Sequence, residues 1–212
     1  MLPDAIADTR IIAVLRAPVS THLVSVAVVL NQAGVTCIEV TLTTPRALSV
    51  IEELRSSLGD SAEIGAGTVM TVADIEGART AGASYTLSPC LDLPLLERAH
   101  TLGMPHIPGA ATPTEVATAW RCGAAAVKVF PASQLGGPAY LRALRDPLPD
   151  VQLIPTGGVR EEHITEYLRA GAVAVGIGTP LTQRALVDGP DPELRDRVEQ
   201  FVTAARQGGR HT

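Results

Sequence analysis

One side chain in this sequence carries a primary amine: Lys128 is the single lysine beside sixteen arginines. A guanidinium stays protonated at physiological pH and does not attack carbonyls, whereas a lysine drawn out of water can lose its proton and form an imine. The surrounding string, Ala124-Ala-Ala-Val-Lys128-Val-Phe130-Pro131, reads as a buried strand with one ammonium inside it. Lysine is seldom buried without a partner or a role. Arginine-rich codon usage accounts for the scarcity of lysine but not for the survivor's place in an apolar strand. A second chemical group sits in a similar string, where Glu39 interrupts Cys37-Ile-Glu-Val-Thr41. Strand alternation sets Lys128 on one face with Ala126 and Phe130, and Glu39 on one face with Thr41, opposite Ile38 and Val40.

The elements that must position these groups repeat one phrase, a helix end, a glycine and a short apolar strand. It occurs at Gln32-Ala-Gly34, Thr80-Ala-Gly82, Thr101-Leu-Gly103, Arg121-Cys-Gly123 and Arg169-Ala-Gly171. Glycine just past a helix end supplies a left-handed cap, and the spacing fits one strand–helix unit. Filling the gaps predicts eight strands, near 10–16, 36–41, 62–66, 84–88, 105–108, 124–130, 151–155 and 172–176. Thr44-Pro45 and Thr112-Pro113-Thr-Glu115 read as helix starts, and Thr71-Val-Ala-Asp74 as a capping-box variant. A polar helix is expected over 191–206, followed by a short loose tail. The expectation is a compact single-domain (β/α)8 barrel over residues 1–212. A doubly wound open sheet ranks second, because no glycine-rich turn follows the first strand.

Composition narrows the function classes. The chain of 212 residues is rich in small apolar residues, with 3% aromatics and a formal charge of -5. No basic cluster appears, so nucleic acid is not an expected partner. The longest largely apolar stretch, residues 23–30, is too short to span a bilayer, and the N-terminus has no signal-peptide pattern. Cys37, Cys90 and Cys122 are odd in number and far apart, which predicts reduced thiols and a cytoplasmic protein. The five histidines are scattered, so no metal site is expected.

In such a barrel the active site lies at the C-terminal ends of the strands. Those ends carry Arg16, Glu39 with Thr41, Gly67-Thr68, Ser88-Pro89, Pro108-Gly109, Lys128, Thr156-Gly157-Gly158 and Gly176-Ile177-Gly178. The face of each strand opposite the helices is the interior, so Glu39 and Lys128 share it. They read either as a structural ion pair or as a nucleophilic amine with a carboxylate proton shuttle. Arg16 reads as a clamp for a substrate carboxylate or as the charge partner of Glu39. Thr41, Thr68, Pro89, Phe130 and Thr156 join Arg16 as substrate-binding candidates. Gly157, Gly158, Gly176 and Gly178 expose backbone N–H groups on the two closing strands, where phosphate sites are commonly built. Cys90 and Trp120 are read as a loop thiol and a packing residue, and His106 as a satisfied core histidine.

Six strings, Glu39-Val-Thr-Leu-Thr-Thr-Pro45, Gly65-Ala-Gly-Thr68, Ser88-Pro89, Ile107-Pro-Gly109, Val127-Lys-Val-Phe-Pro131 and Pro155-Thr-Gly-Gly158, occur in this order. As an ordered set they strongly resemble the family of 2-keto-3-deoxy-6-phosphogluconate (KDPG) and 4-hydroxy-2-oxoglutarate (KHG) aldolases, from about residue 10 to 188. The resemblance implies a class I enzyme with a lysine Schiff base, no metal or other cofactor, and a homotrimer. It puts the Schiff-base lysine at Lys128, the proton-transfer glutamate at Glu39, a pyruvate-contacting threonine at Thr68 and the phosphate loop at Gly157 and Gly158. Many members carry an arginine where this chain has Thr43; others pair threonine there with an arginine ending strand one, which makes Arg16 the candidate carboxylate ligand. The implied reaction is cleavage of KDPG to pyruvate and glyceraldehyde 3-phosphate, with KHG cleavage to pyruvate and glyoxylate beside it. The alternatives are 2-keto-3-deoxy-6-phosphogalactonate cleavage, a sugar-phosphate epimerase or isomerase using the same pair without an imine, and a phosphate-metabolite binding barrel.

Overall fold

A computed structural model of the chain describes residues 2–208. Its first half runs α1 (Asp4–Thr9), β1 (Ile11–Leu15), α2 (Leu23–Gln32), β2 (Cys37–Thr41), α3 (Ala47–Leu58), β3 (Glu63–Gly67), α4 (Val72–Thr80), β4 (Tyr85–Leu87) and α5 (Leu93–Thr101). Then follow β5 (His106–Ile107), β6 (Gly109–Ala110), α6 (Pro113–Arg121), β7 (Val127–Val129), α7 (Gly137–Arg145), β8 (Leu153–Pro155) and α8 (Glu161–Arg169). The chain ends with β9 (Val175–Ile177), α9 (Thr179–Thr182), α10 (Ala185–Asp188) and α11 (Leu194–Gly208). The strand–helix alternation is the one expected, and every ladder between strands is parallel.

The continuous eight-stranded ring is not what the ladders record. Six strands pair in the order β5-β4-β3-β2-β1-β9 and three in the order β6-β7-β8. Isolated bridges, Leu153 with Ala172 and Thr156 with Gly176, link the end of one run to the other. The expected fifth strand is broken into β5 and β6 at Pro108, whose ring nitrogen has no N–H to donate. Other differences are local. Thr44-Pro45 does not start a helix: α3 begins at Ala47 after Arg46 in a left-handed conformation (φ 57°). The Thr44 hydroxyl instead accepts from the Ala17 backbone N–H at 3.3 Å. Helices α1, α9 and α10 were not foreseen, and the expected helix over 191–206 is α11; the loose tail falls outside the described residues.

The punctuation is as read. Gly34 and Gly171 sit at φ 98° and 93° just past α2 and α8, where a side chain would be strained. Thr71 and Thr112 each close a full capping box, with Asp74 and Glu115 reaching back. Each such cap is worth about 1 kcal/mol.

Alternation splits the apolar residues into two layers. Ile38 and Val40 of β2 and Val127 and Val129 of β7 belong to the large layer between strands and helices. Ile12, Cys37, Tyr85, Leu87, Ile107, Ala126 and Ile154 form a smaller cluster on the opposite face, together with Ile6 from α1. Strands of both sheets contribute to that inner cluster, so their concave faces enclose one interior, with α1 packed against it. Lys128 and Glu39 share the parity of Ala126 and Cys37 and therefore point into this interior.

His106 takes the other parity. It is 2% exposed and its ring nitrogens meet the hydroxyls of Thr86 (2.9 Å) and Ser88 (3.2 Å). It is a satisfied core histidine, and burial holds its pKa down at about 4 from 6.5. The unfolded chain therefore takes up a proton near pH 6.5 that the folded chain refuses until about pH 4. Stability from this group is present above 6.5 and drains away as pH falls toward 4. Urea unfolding should show a loss of about 2 kcal/mol between pH 7.5 and 5 from this residue. The same pair of measurements on His106→Gln should show a correspondingly smaller fall; an unchanged difference would refute the assignment.

Candidate active site

Strands β2 and β7 deliver a carboxylate and an amine to the same interior. Lys128 Nζ lies 3.8 Å from Glu39 Oε1, with the two side chains 6% and 1% exposed. The expected pairing is thus present. Neither carboxylate oxygen of Glu39 has a hydrogen-bond partner among the described residues. Gly67 of β3 makes room for this carboxylate, since a Cβ there would run into Glu39 Oε1. On the side of Lys128 toward the strand end, the Phe130 ring centroid is 5.6 Å from Nζ, a cation–π geometry.

Above the pair opens a cavity of about 360 Å³. Lys128 and Arg16 line it with Phe130 and Thr156, and so do all four expected glycines, Gly157, Gly158, Gly176 and Gly178. The glycine turn is strapped from below. Ala132 N–H donates to the Thr156 carbonyl at 2.8 Å, and Ser133 N–H to the Gly157 carbonyl at 3.1 Å. Gly157 and Gly158 hold φ 93° and 75°, conformations that a side chain would resist. Gly176 faces Thr156 so closely that a Cβ would overlap its side chain. Two backbone turns without side chains therefore approach one another beside the amine, and α9 begins directly after Gly178.

The charge at the rim is Arg16. Its guanidinium donates to the Thr68 hydroxyl at 3.0 Å, while the ion-pair partner of Glu39 is Lys128. Thr68 is β-branched yet sits at φ 57°, a strained left-handed conformation of the kind that gathers at functional sites. Of the expected substrate-binding residues, Thr41, Thr68 and Pro89 do not line the cavity, and Thr68 meets it only through Arg16. Thr41 is fully buried, its hydroxyl donating to the Leu15 carbonyl at 3.3 Å and meeting Thr44 at 3.2 Å. Pro89 packs against Gly109, where a Cβ would strike the Pro89 backbone. Cys90 is exposed and Trp120 packs against the outer layer.

The sequence reading missed one wall. Gln183, Leu186 and Val187 from α10 and the turn before it also line the cavity. The signal was faint, because a four-residue helix has no periodicity to read; Gln183 betrays its place through φ 46°. Among the described residues no group of three or more His, Cys, Asp or Glu is placed to hold a metal ion.

The arrangement joins a buried amine, a carboxylate within reach of it, a cation at the rim and backbone donors suited to an anion. That set can attack a carbonyl, move a proton and hold a doubly anionic substrate. Comparison with known proteins agrees. The chain is 35% identical over 193 residues to the 2-dehydro-3-deoxy-phosphogluconate aldolase of Pseudomonas aeruginosa, covering 91% of this chain and 87% of that one. It is also 35% identical over 150 residues to the 2-dehydro-3-deoxy-6-phosphogalactonate aldolase of Escherichia coli, covering 70% and 73%. A KDPG aldolase from Legionella pneumophila, solved with pyruvate captured as a covalent carbinolamine, superposes with a TM-score of 0.77 at 29% identity, over 95% and 94% of the two chains. The model of the KDPG and KHG aldolase family matches residues 3–200, and the chain belongs to that family.

Proposed function

We propose that this protein is a class I aldolase that cleaves KDPG to pyruvate and glyceraldehyde 3-phosphate, with KHG as a second substrate. The observation that carries the reading is the buried Lys128, held 3.8 Å from Glu39 at the floor of a cavity lined by Arg16 and two glycine turns. Lys128, unprotonated, attacks the C2 ketone; loss of water leaves a protonated imine. The C3–C4 electron pair flows into that cation as Glu39 takes the C4 hydroxyl proton, and the aldehyde departs. Glu39 returns the proton to C3 of the enamine, and hydrolysis frees pyruvate and the amine. The imine is the electron sink, so this route uses no metal.

Arg16 is the proposed ligand of the substrate carboxylate, supported by its place at the rim and its bond to Thr68. Thr68, Phe130 and Thr156 are proposed to contact substrate, with Thr41 and Pro89 behind them, and Gly157, Gly158, Gly176 and Gly178 to hold the phosphate. We further propose that the two strand runs are arcs of one closed (β/α)8 barrel in a single domain. In support, backbone bonds join the parts: Lys128 N–H donates to the Pro108 carbonyl at 2.9 Å and Val173 N–H to the Leu153 carbonyl at 3.0 Å. A cytoplasmic homotrimer completes the proposal; no described helix is long and apolar enough to cross a membrane.

Pyruvate with borohydride should leave a reduced pyruvyl adduct, seen by mass, at Lys128. Lys128→Arg keeps the charge and should lose both adduct and turnover; near-normal cleavage by that variant would sink the imine mechanism. Glu39→Gln should still trap pyruvate while its kcat falls by roughly 10²–10⁴, and an undiminished kcat would assign the proton shuttle elsewhere. Gly158→Asp places a carboxylate in the phosphate turn. Its kcat/KM should drop far more for phosphorylated KDPG than for KHG, and equal losses would argue against a phosphate site there.

A further inference from the structure

The inward face of β3 carries Gly65 and Gly67, and each yields its space to a side chain from a neighbouring strand. From β2 the Glu39 carboxylate lies over Gly67, where a Cβ would meet Oε1. From β4 the Tyr85 ring lies over Gly65, where a Cβ would overlap Cε2 and Cζ. Cζ bears the hydroxyl, so the phenol points across β3 in the direction of β2. Glu39, Gly65 and Tyr85 are also neighbours in register, one row across three strands. Two glycines two residues apart on one strand are separated by about 6–7 Å. A carboxylate on a flexible two-methylene stem spans much of that gap by rotation.

Three polar atoms in this small interior have no hydrogen-bond partner among the described residues: the Tyr85 hydroxyl and both oxygens of Glu39. Tyr85 is fully buried. A phenylalanine would fill the same space without a desolvated hydroxyl, so the oxygen is a cost to stability that packing does not explain. Lys128 occupies the side of Glu39 toward β7, and the phenol stands on the side toward β4.

We propose that Tyr85 is a positioning residue for Glu39, its hydroxyl donating to the carboxylate when Glu39 turns away from Lys128 to carry a proton. The inference rests on the aldolase reading. When C3–C4 breaks, the electron pair enters the imine and the C4 hydroxyl proton passes to Glu39; the same proton then goes to C3 of the enamine. Tyr85 keeps its own proton throughout, because burial lifts its hydroxyl well above the ordinary phenol range, with the nearby Cys37 and Glu39 adding to the effect. It acts on the reaction through the carboxylate and not on the substrate.

Tyr85→Phe separates this role from the alternatives when three quantities are measured on the full chain: borohydride-trapped pyruvate, deuterium exchange into the pyruvate methyl group, and the thermal midpoint. The expected result is wild-type trapping, exchange slowed roughly tenfold to a hundredfold, and a midpoint unchanged or raised. In the Glu39→Gln background the same change should slow exchange no further. Wild-type exchange in Tyr85→Phe overturns the proposal. Trapping and exchange that fall together also overturn it, since they assign Tyr85 to packing or to imine formation. Failure of the unaltered protein to trap pyruvate rejects the aldolase reading itself, whatever Tyr85→Phe does.

Discussion

An ammonium-bearing and a carboxylate-bearing side chain 3.8 Å apart, almost wholly removed from water, constrain everything around them. Removing one member of such a pair typically costs 3–5 kcal/mol, by leaving the other uncompensated. Yet the pair is not finished as a structural salt bridge would be, because both oxygens of Glu39 lack hydrogen bonds among the described residues. The carboxylate is held by burial and by one ion pair, which leaves it free to turn. A carboxylate fully satisfied by backbone donors would be a firmer brick and a poorer proton carrier.

The surrounding sequence is shaped to admit these two groups. β3 reads Glu63-Ile-Gly-Ala-Gly67, with its outward positions apolar and Gly65 and Gly67 facing in. Any side chain on those glycines would collide with Tyr85 or Glu39. The fold tolerates so thin an inner packing because its apolar burial lies mainly elsewhere. The large cluster between strands and helices draws on nearly every element, whereas the inner cluster has far fewer members. Stability and chemistry are thus placed on opposite faces of the same strands.

At the rim, strain and close backbone approach replace burial. Thr68 at φ 57° presents its hydroxyl to Arg16, and Thr156 with Gly176 ties the β8 and β9 ends together. The cation that stands at the rim comes from the end of β1, which agrees with threonine rather than arginine at position 43. A relative named for a gluconate substrate and one named for a galactonate substrate are each 35% identical to this chain, over 193 and 150 residues, so percentage identity alone does not choose between the two sugars.

Much of the fold was legible because its signals are local. A glycine past a helix end, a threonine with an acid three residues on, and period-two alternation each act over a few residues, and Gly34, Thr112 and Lys128 all behave as their neighbours in sequence require. Alternation also made the Lys128–Glu39 pairing legible, once parallel strands were assumed to share an interior. What was not legible depends on residues distant in sequence. Thr44 became a partner for Ala17 instead of a helix cap, and Thr41 spent its hydroxyl on Leu15. Nothing in the sequence singled out Tyr85, whose ring lies over Gly65 of the neighbouring strand. By itself, then, the sequence determined which residue can be a nucleophile, which face it takes and where helices stop, since chain geometry sets these within a turn or a strand. Only the tertiary structure decided which polar groups find partners and which are left without, because a side chain's hydrogen bonds depend on what the rest of the chain brings within about 3 Å of it.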